Sequence, residues 1–314
     1  MSSRFLASNG PLDPGHMMRT LGIHSIPTLD IHEPAEHRHT RLIAVDSGPK
    51  AVELEFATNG VHLTCSGANA NDLDQLEAAV RAWLDLDTDL SGVQESFSPD
   101  PVLGPLVEAR PWLRLIGYLN GFEAAATTIL GQQVTLAAGR TFGGRFLAAY
   151  GGEGPGGLRV FPAPEAVIAR GVDTLRETIG LTKTRAGTLF LMAEAFAAKG
   201  FTGAPEIPLD RSELLALRGV GPWTADYLQM RGRSDPDAFV PGDLVARRAL
   251  DRISEREAAA LARLWAPYRS YAMVHLWAAD SMGSAPRAAS SRTLFTSPGG
   301  ENSTDVQMTP GSST

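Results

Sequence analysis

The segment Leu214-Leu-Ala-Leu-Arg-Gly-Val-Gly-Pro-Trp-Thr-Ala-Asp-Tyr227 leaves the chain few conformational options. A helical leucine pattern ends at Leu217, and Gly219-Val220-Gly221 makes a tight turn. Pro222 suits the first turn of a new helix, where its missing N–H costs little. Two short helices meeting at a glycine corner are the result. Glycines let the backbone approach a phosphate closely, and the free N–H groups of the second helix point at it. Gly219, Val220, Gly221 and Thr224 can therefore form an anion-binding hairpin. An ordinary helix corner with glycines for packing fits the same residues.

About twenty residues on, the chain reads Phe239-Val-Pro-Gly-Asp-Leu-Val-Ala-Arg-Arg-Ala-Leu250. Pro241-Gly242 breaks the backbone, and Asp243 falls where a helix N-cap belongs, just before Leu244. Taken alone, such an Asp is a cap. A carboxylate facing a cleft could instead stabilise positive charge developing on a sugar ring, and could orient or deprotonate an attacking water.

The rest of the chain divides by texture. Arg41–Val45, Ala51–Phe56 and Val61–Cys65 read as strands, with Asn59-Gly60 as a hairpin turn. Asp72–Leu86 reads as an amphipathic helix with Leu73, Leu76, Val80 and Trp83 on one face. Beyond residue 110 the pattern is helical: Phe122–Tyr150 lacks proline, and Leu244–Leu250 and Glu255–Leu264 follow the hairpin. The predicted class is α+β. Residues 1–95 form an N-terminal antiparallel sheet with helices. One helical lobe takes in 119–235 and ends in the hairpin, and a second combines 96–118 with 236–283. Residues 284–314, rich in Ser, Thr, Gly and Pro, are expected to be a disordered tail.

Composition excludes several chemistries. The single cysteine, Cys65, cannot make an internal disulfide or hold a thiolate-bound zinc or iron–sulfur cluster. No apolar run reaches membrane-spanning length and no secretory leader is visible, so a cytoplasmic protein is expected. The net charge of -7 argues against a nucleic-acid partner. Even Arg231–Glu257 balances six arginines against six acidic residues. If DNA is bound, helix-start amides and a few placed arginines must do much of the gripping.

Together, Leu-x-Gly-Val-Gly-x-Trp-Thr-Ala and Val-Pro-x-Asp resemble the helix-hairpin-helix DNA glycosylase superfamily, and more narrowly the bacterial DNA-3-methyladenine glycosylase II family. Ala125–Val134, Gly180–Ala186, Trp265–Ala272 and His275-Leu-Trp277 match the same family in the same order. The resemblance runs from roughly residue 10 to 283 and is weakest before residue 100. It implies a monomeric enzyme acting on double-stranded DNA, hydrolysing the N-glycosidic bond of an alkylated purine of the 3-methyladenine or 7-methylguanine type, with Asp243 catalytic. Members that also cut the backbone carry a lysine just after the hairpin turn. Trp223 stands there, so no Schiff base and no lyase step are expected.

By the same resemblance Trp223, Tyr227 and Trp277 line the base pocket, where aromatic faces suit an electron-poor purine. Leu244 would line it too, in place of the family's aromatic, and Thr20 aligns loosely with another aromatic. Gln133 would enter the gap left by the flipped base. Trp265, Tyr268 and Tyr271 read as structural. No cofactor is required, although the family's hairpin can hold a monovalent cation through carbonyls that fall on Leu215, Leu217 and Val220. A glycosylase for another lesion and a non-catalytic helix-hairpin-helix DNA-binding protein are the alternatives.

Overall fold

The computed structural model describes residues 1–281, and the tail expected over 284–314 lies outside them. Five strands open the chain: β1 (Ser2–Ala7), β2 (Asp30–Glu33), β3 (Arg38–Ile43), β4 (Lys50–Ala57) and β5 (Gly60–Cys65). They form one antiparallel sheet in the order β1-β5-β4-β3-β2. Helix α1 (Pro14–His24) crosses between β1 and β2, and α2 (Ala70–Leu84) follows β5. The class is α+β.

Local chemistry sets these boundaries. Asp13 caps α1 by accepting from the His16 N–H, with Pro14 at its first position. Asn69 and Asp72 close a reciprocal capping box on α2. Leu76, Val80, Trp83 and Leu84 turn inward from α2 onto Val52, Leu54, Val61 and Leu63 of the sheet. Ile116, from the stretch leading into the helical region, completes that core.

Twelve helices follow: α3 (Ser91–Phe97), α4 (Gly104–Ala109), α5 (Gly121–Leu130), α6 (Leu136–Tyr150), α7 (Pro164–Arg170), α8 (Val172–Ile179), α9 (Lys183–Ala198), α10 (Arg211–Ala216), α11 (Pro222–Gly232), α12 (Leu244–Ala249), α13 (Glu255–Leu261) and α14 (Arg269–Ser281). A two-strand ribbon, β6 (Gly152–Glu153) with β7 (Arg159–Val160), separates α6 from α7. Helix α5 is buried almost all round and packs on α6, α9 and α11, whereas α14 packs on α4 and α12. Trp265 donates its indole N–H to Asp100 at 2.9 Å, and Tyr271 donates its hydroxyl to Asp85 at 3.0 Å, both as structural residues should.

Two features depart from the sequence reading. The run Phe122–Tyr150 is two helices, because Gly131–Val134 leaves the helix and Gln133 adopts φ 55° before Thr135 caps α6. Strands β1 and β2 and helix α1 all precede the first strand predicted.

One buried ion pair joins the sheet to the helical region. Arg41 on β3 donates to Glu123 on α5 at 2.7 Å, and both side chains are less than a tenth exposed. Burial still pushes the Glu123 carboxyl above its usual range, with the Arg41 charge opposing. Glu123→Ala leaves a buried guanidinium without its partner and should destabilise the protein by about 3–5 kcal/mol. Replacing the pair together by Met and Leu should cost far less. Urea unfolding of the single and double variants checks this; equal losses would show that the ionic contact is not what matters.

Candidate active site

The site assembles around the carboxylate of Asp243. Pro241-Gly242 turns the chain, with the Asp243 N–H donating to the Val240 carbonyl at 3.0 Å. Asp243 then caps α12: its Oδ1 accepts from the N–H groups of Val245 at 3.0 Å and Ala246 at 2.9 Å. Both oxygens also face indole donors. Trp277 Nε1 on α14 donates to Oδ1 at 3.0 Å, and Trp223 Nε1 on α11 donates to Oδ2 at 3.0 Å. The carboxylate is buried, with 6% of the residue exposed, and these four donors are all uncharged. No arginine or lysine among the described residues forms an ion pair with it.

An aromatic wall extends from the carboxylate. Trp223 and Tyr227 stack with ring centroids 5.0 Å apart and planes 12° apart, and Trp277 leans on Tyr227 at 6.2 Å. Trp223 stands at the mouth, 36% exposed, and Tyr227 lies deeper and is buried. A cavity of about 620 Å³ opens against this wall, with Asp243, Trp223, Tyr227 and Trp277 all in its lining. That size falls in the range of small-molecule sites.

Three elements supply the opposite walls. Helix α1 contributes His16, Thr20 and His24, α6 contributes Arg140 and Gly143, and Arg231 lines the cavity from α11. Thr20, aligned only loosely from sequence, does reach the cavity. The sequence reading missed α1's other contributions because it missed α1 itself. The signal for Arg231 was present, since it lies two helical turns beyond Trp223 on the same face.

The hairpin has the expected shape. Asp210 and Glu213 box the start of α10, and Gly221 occupies the N-cap of α11 ahead of Pro222. Gly219 sits at φ +92°, and a Cβ there would meet Thr188 Oγ1 at 1.9 Å, so both conformation and space demand glycine. A Cβ on Gly221 would meet nothing within 4 Å, so that face of the turn is open. The first N–H groups of α11 have no acceptor inside the helix.

Four of the expected site residues are placed differently from expectation or need qualification. Thr224 does not present its side chain to the outside: it is 4% exposed, and its hydroxyl accepts from Gln132 Nε2 at 3.0 Å. Only its backbone N–H remains for an anion. Leu244 does not line the cavity. It is 70% exposed on the first turn of α12, and Val245 takes the inward position because the cap at Asp243 sets the helix rotation. Gln133 is exposed in the left-handed bend between α5 and α6, beside the cavity-lining Val134. The Leu217 carbonyl, one of the three expected cation ligands, accepts the Val220 N–H at 3.0 Å.

Residues 4–120 match the family described as AlkA N-terminal domain. The chain is 32% identical over 273 residues to the probable bifunctional transcriptional activator/DNA repair enzyme AlkA of Mycobacterium tuberculosis, covering 84% of this chain and 53% of that protein. It is 34% identical over 182 residues to DNA-3-methyladenine glycosylase 2 of Escherichia coli, covering 56% of this chain and 63% of that one. The chain thus spans about half to two thirds of these curated relatives. Among solved structures, the 3-methyladenine DNA-glycosylase from Archaeoglobus fulgidus superposes with a TM-score of 0.75 at 20% identity, covering 90% of this chain and 99% of that one. That likeness is one of fold.

Burial keeps the histidines near the cavity neutral. His16 is held down to about 4 by burial. His24 is held down to about 3, by burial first and then by the charges of Arg231 and Arg140. His39 and His275 are likewise lowered to about 3, chiefly by burial. In the unfolded chain each titrates near about 6.5. The stability these neutral rings contribute is fully present above that pH and drains away as pH falls toward 4, because only the unfolded state takes up the protons. The urea midpoint should therefore drop between pH 7 and pH 5, and His24→Gln should flatten the slope. Identical slopes for variant and wild type would contradict this.

Proposed function

We propose that the chain, whose residues 4–120 match the AlkA N-terminal domain and which is similar to AlkA and DNA-3-methyladenine glycosylase 2, is a monofunctional DNA glycosylase of that family, releasing alkylated purines from duplex DNA. The observation that supports this reading best is the Asp243 carboxylate, held by four neutral donors at an aromatic-walled cavity with no ion-pair partner among the described residues. A carboxylate so held is fixed in place by dipoles alone.

In this reading the damaged nucleotide rotates out of the helix and its base enters the cavity along Trp223 and Tyr227. Flipping costs a few kcal/mol and is easiest for a poorly paired base, which gives part of the selectivity. As the glycosidic bond lengthens, positive charge grows on the sugar beside Asp243. The pre-positioned carboxylate stabilises that charge without having to reorganise. Water then adds to the sugar carbon, its proton leaves through Asp243 or solvent, and the products are the free base and an abasic site. The site has no amine nucleophile, with Trp223 at the lysine position of lyase relatives, so strand cleavage is not part of the reaction.

Gly219, Val220 and Gly221 would hold the sugar-phosphate chain by backbone amides, and Gln133 would fill the space left in the duplex. The carbonyls of Leu215, Leu217 and Val220 would hold a monovalent cation. The reverse turn at Gly219, which gathers them into one hairpin, fits that role. The ion would add positive charge for a phosphate and takes part in no chemical step, and the chemistry needs no cofactor. A monomer acting on chromosomal DNA in the cytoplasm suits a site built from a single chain.

Asp243→Asn should lower release of methylated purines by about a hundredfold or more. Binding to duplex DNA should be nearly unchanged, because the Asn oxygen can still cap α12. Single-turnover release assays and gel-shift titrations on the same preparations check this, and a fully active variant would remove Asp243 from the mechanism. Borohydride should trap no covalent DNA complex. Release of oxidised bases alone from a panel of lesion-bearing duplexes would overturn the alkylation reading.

A further inference from the structure

Building on the glycosylase reading, we propose that Arg231 chooses among the purines the cavity admits, favouring bases with a carbonyl at ring position 6 over those with an amino group there. Trp223, Tyr227 and Arg231 stand four residues apart on α11, so they share one face of the helix. Side chains lean toward the N-terminus of their helix. The Arg231 guanidinium therefore reaches back toward Tyr227, and both residues line the cavity.

What makes this arginine unusual is the lack of a counter-charge. Arg231 is 5% exposed, and its Nε has no hydrogen-bond partner. Among the described residues it enters no ion pair; its recorded contact is with the face of the Tyr118 ring, 5.7 Å away. The neighbouring polar groups on the cavity side are Tyr118, Thr127, His16 and His24, and the two imidazoles are neutral. On its other side Arg231 borders a smaller pocket with Asp30, Arg41 and Glu123, where Glu123 is taken by Arg41 and Asp30 accepts from Ser25 and the Ile26 N–H. Asp243 sits at the other end, beside Trp223, and already receives four donors. Burying a charge without a partner is costly. Here the guanidinium is a donor array left open toward the cavity.

A flipped purine packed against the Trp223–Tyr227 stack, with its sugar at Asp243, directs the edge opposite its glycosidic nitrogen inward. A 6-oxopurine presents a carbonyl oxygen there, the acceptor that guanidinium groups pair with when they read guanine. A 6-aminopurine presents N–H donors at that position to a group that has only donors, and leaves it just the lone pair of a neighbouring ring nitrogen. A buried polar group rejects a base that leaves it unpaired far more strongly than an apolar wall would.

DNA methylated in bulk carries 3-methylguanine and 3-methyladenine, which share the methyl position and the leaving nitrogen. Their single-turnover release, separated by chromatography, should show a 3-methylguanine to 3-methyladenine rate ratio that Arg231→Met lowers about tenfold, or about 1.4 kcal/mol. Arg231→Lys, which keeps a charged donor, should fall between. Equal losses on both bases, or an unchanged ratio, would overturn the proposal. If Arg231→Met does not fold by circular dichroism, competition by free bases on the wild type decides. Free hypoxanthine should inhibit more strongly than free adenine, and equal inhibition would sink the idea. A wild type that releases neither base would overturn the glycosylase reading and this inference with it, whereas release of both at an unaltered ratio overturns the inference alone.

Discussion

The clasp on Asp243 organises the site, because one carboxylate is asked to do two jobs that ordinarily compete. As a helix cap it must give an oxygen to the first amides of α12, and it does so through Oδ1. As an electrostatic group it must keep its charge and face open space. The two indole N–H groups reconcile these demands. Trp277 shares Oδ1 with the cap amides, while Trp223 holds Oδ2 and fixes the plane of the carboxylate. Both indoles also form the aromatic wall, so the parts that aim the anion are the parts that would stack on the base. A guanidinium in either place would hold the carboxylate more firmly and cancel the charge that the proposed chemistry would use.

The acidic balance of the chain becomes less puzzling once charge is placed on the fold. No Asp or Glu occurs between Glu123 and Glu153, a stretch that includes the Gln133 bend and α6, whose exposed residues include Arg140 and Arg145. Lys183 and Arg185 open α9, and Arg185 donates to the Gln132 carbonyl, which ties that helix to the bend. Arg218 adjoins the hairpin glycines. Much of the acid lies elsewhere, in Asp72, Asp74, Glu77, Asp85, Asp87 and Asp89 around α2 and its exit. A duplex approaching the hairpin meets amides and cations, and screening at ordinary salt hides charges more than about 10 Å away. If DNA is the partner, net charge is a poor guide because it averages over faces that DNA would not touch together.

How much of this was legible in the sequence depended on whether a residue's role is local. The hairpin, the cap at Asp243 and the helix face bearing Trp223 and Tyr227 follow from spacing, turn chemistry and family resemblance, and the structure has that geometry. The cavity's far wall could not be read this way. Helix α1 reaches the site only because β1 pairs with β5 across some sixty residues, and no local pattern encodes that pairing. Leu244 and Thr224 went astray for a related reason. Each lies next to a residue of the site in sequence, but on a helix the neighbouring side chain points about 100° away. Val245 faces inward instead of Leu244, and Thr224 faces Gln132 instead of the outside.

Placing Asp243 and Arg231 in one cavity has a consequence for which bases fit. The wall between them is α11, and the eight residues from Trp223 to Arg231 rise about 12 Å along its axis. An anion at one end and a cation at the other make a slot with a built-in direction. A sugar gathering positive charge is drawn to the Asp243 end, and a base edge rich in lone pairs is drawn to the Arg231 end. A purine inserted the other way round would meet repulsion at both. The aromatic wall holds flat rings without regard to orientation, since stacking is tolerant of how a ring is turned in its plane. Orientation would then come from charge, and Asp243 and Arg231 stand at the two ends of the α11 wall, with Arg19, Arg114, Arg140 and Asp280 elsewhere in the lining. On this view the buried guanidinium, in no ion pair among the described residues, is the counterpart of the Asp243 carboxylate: it would fix which end of the base faces the interior, and the carboxylate would fix where the bond breaks.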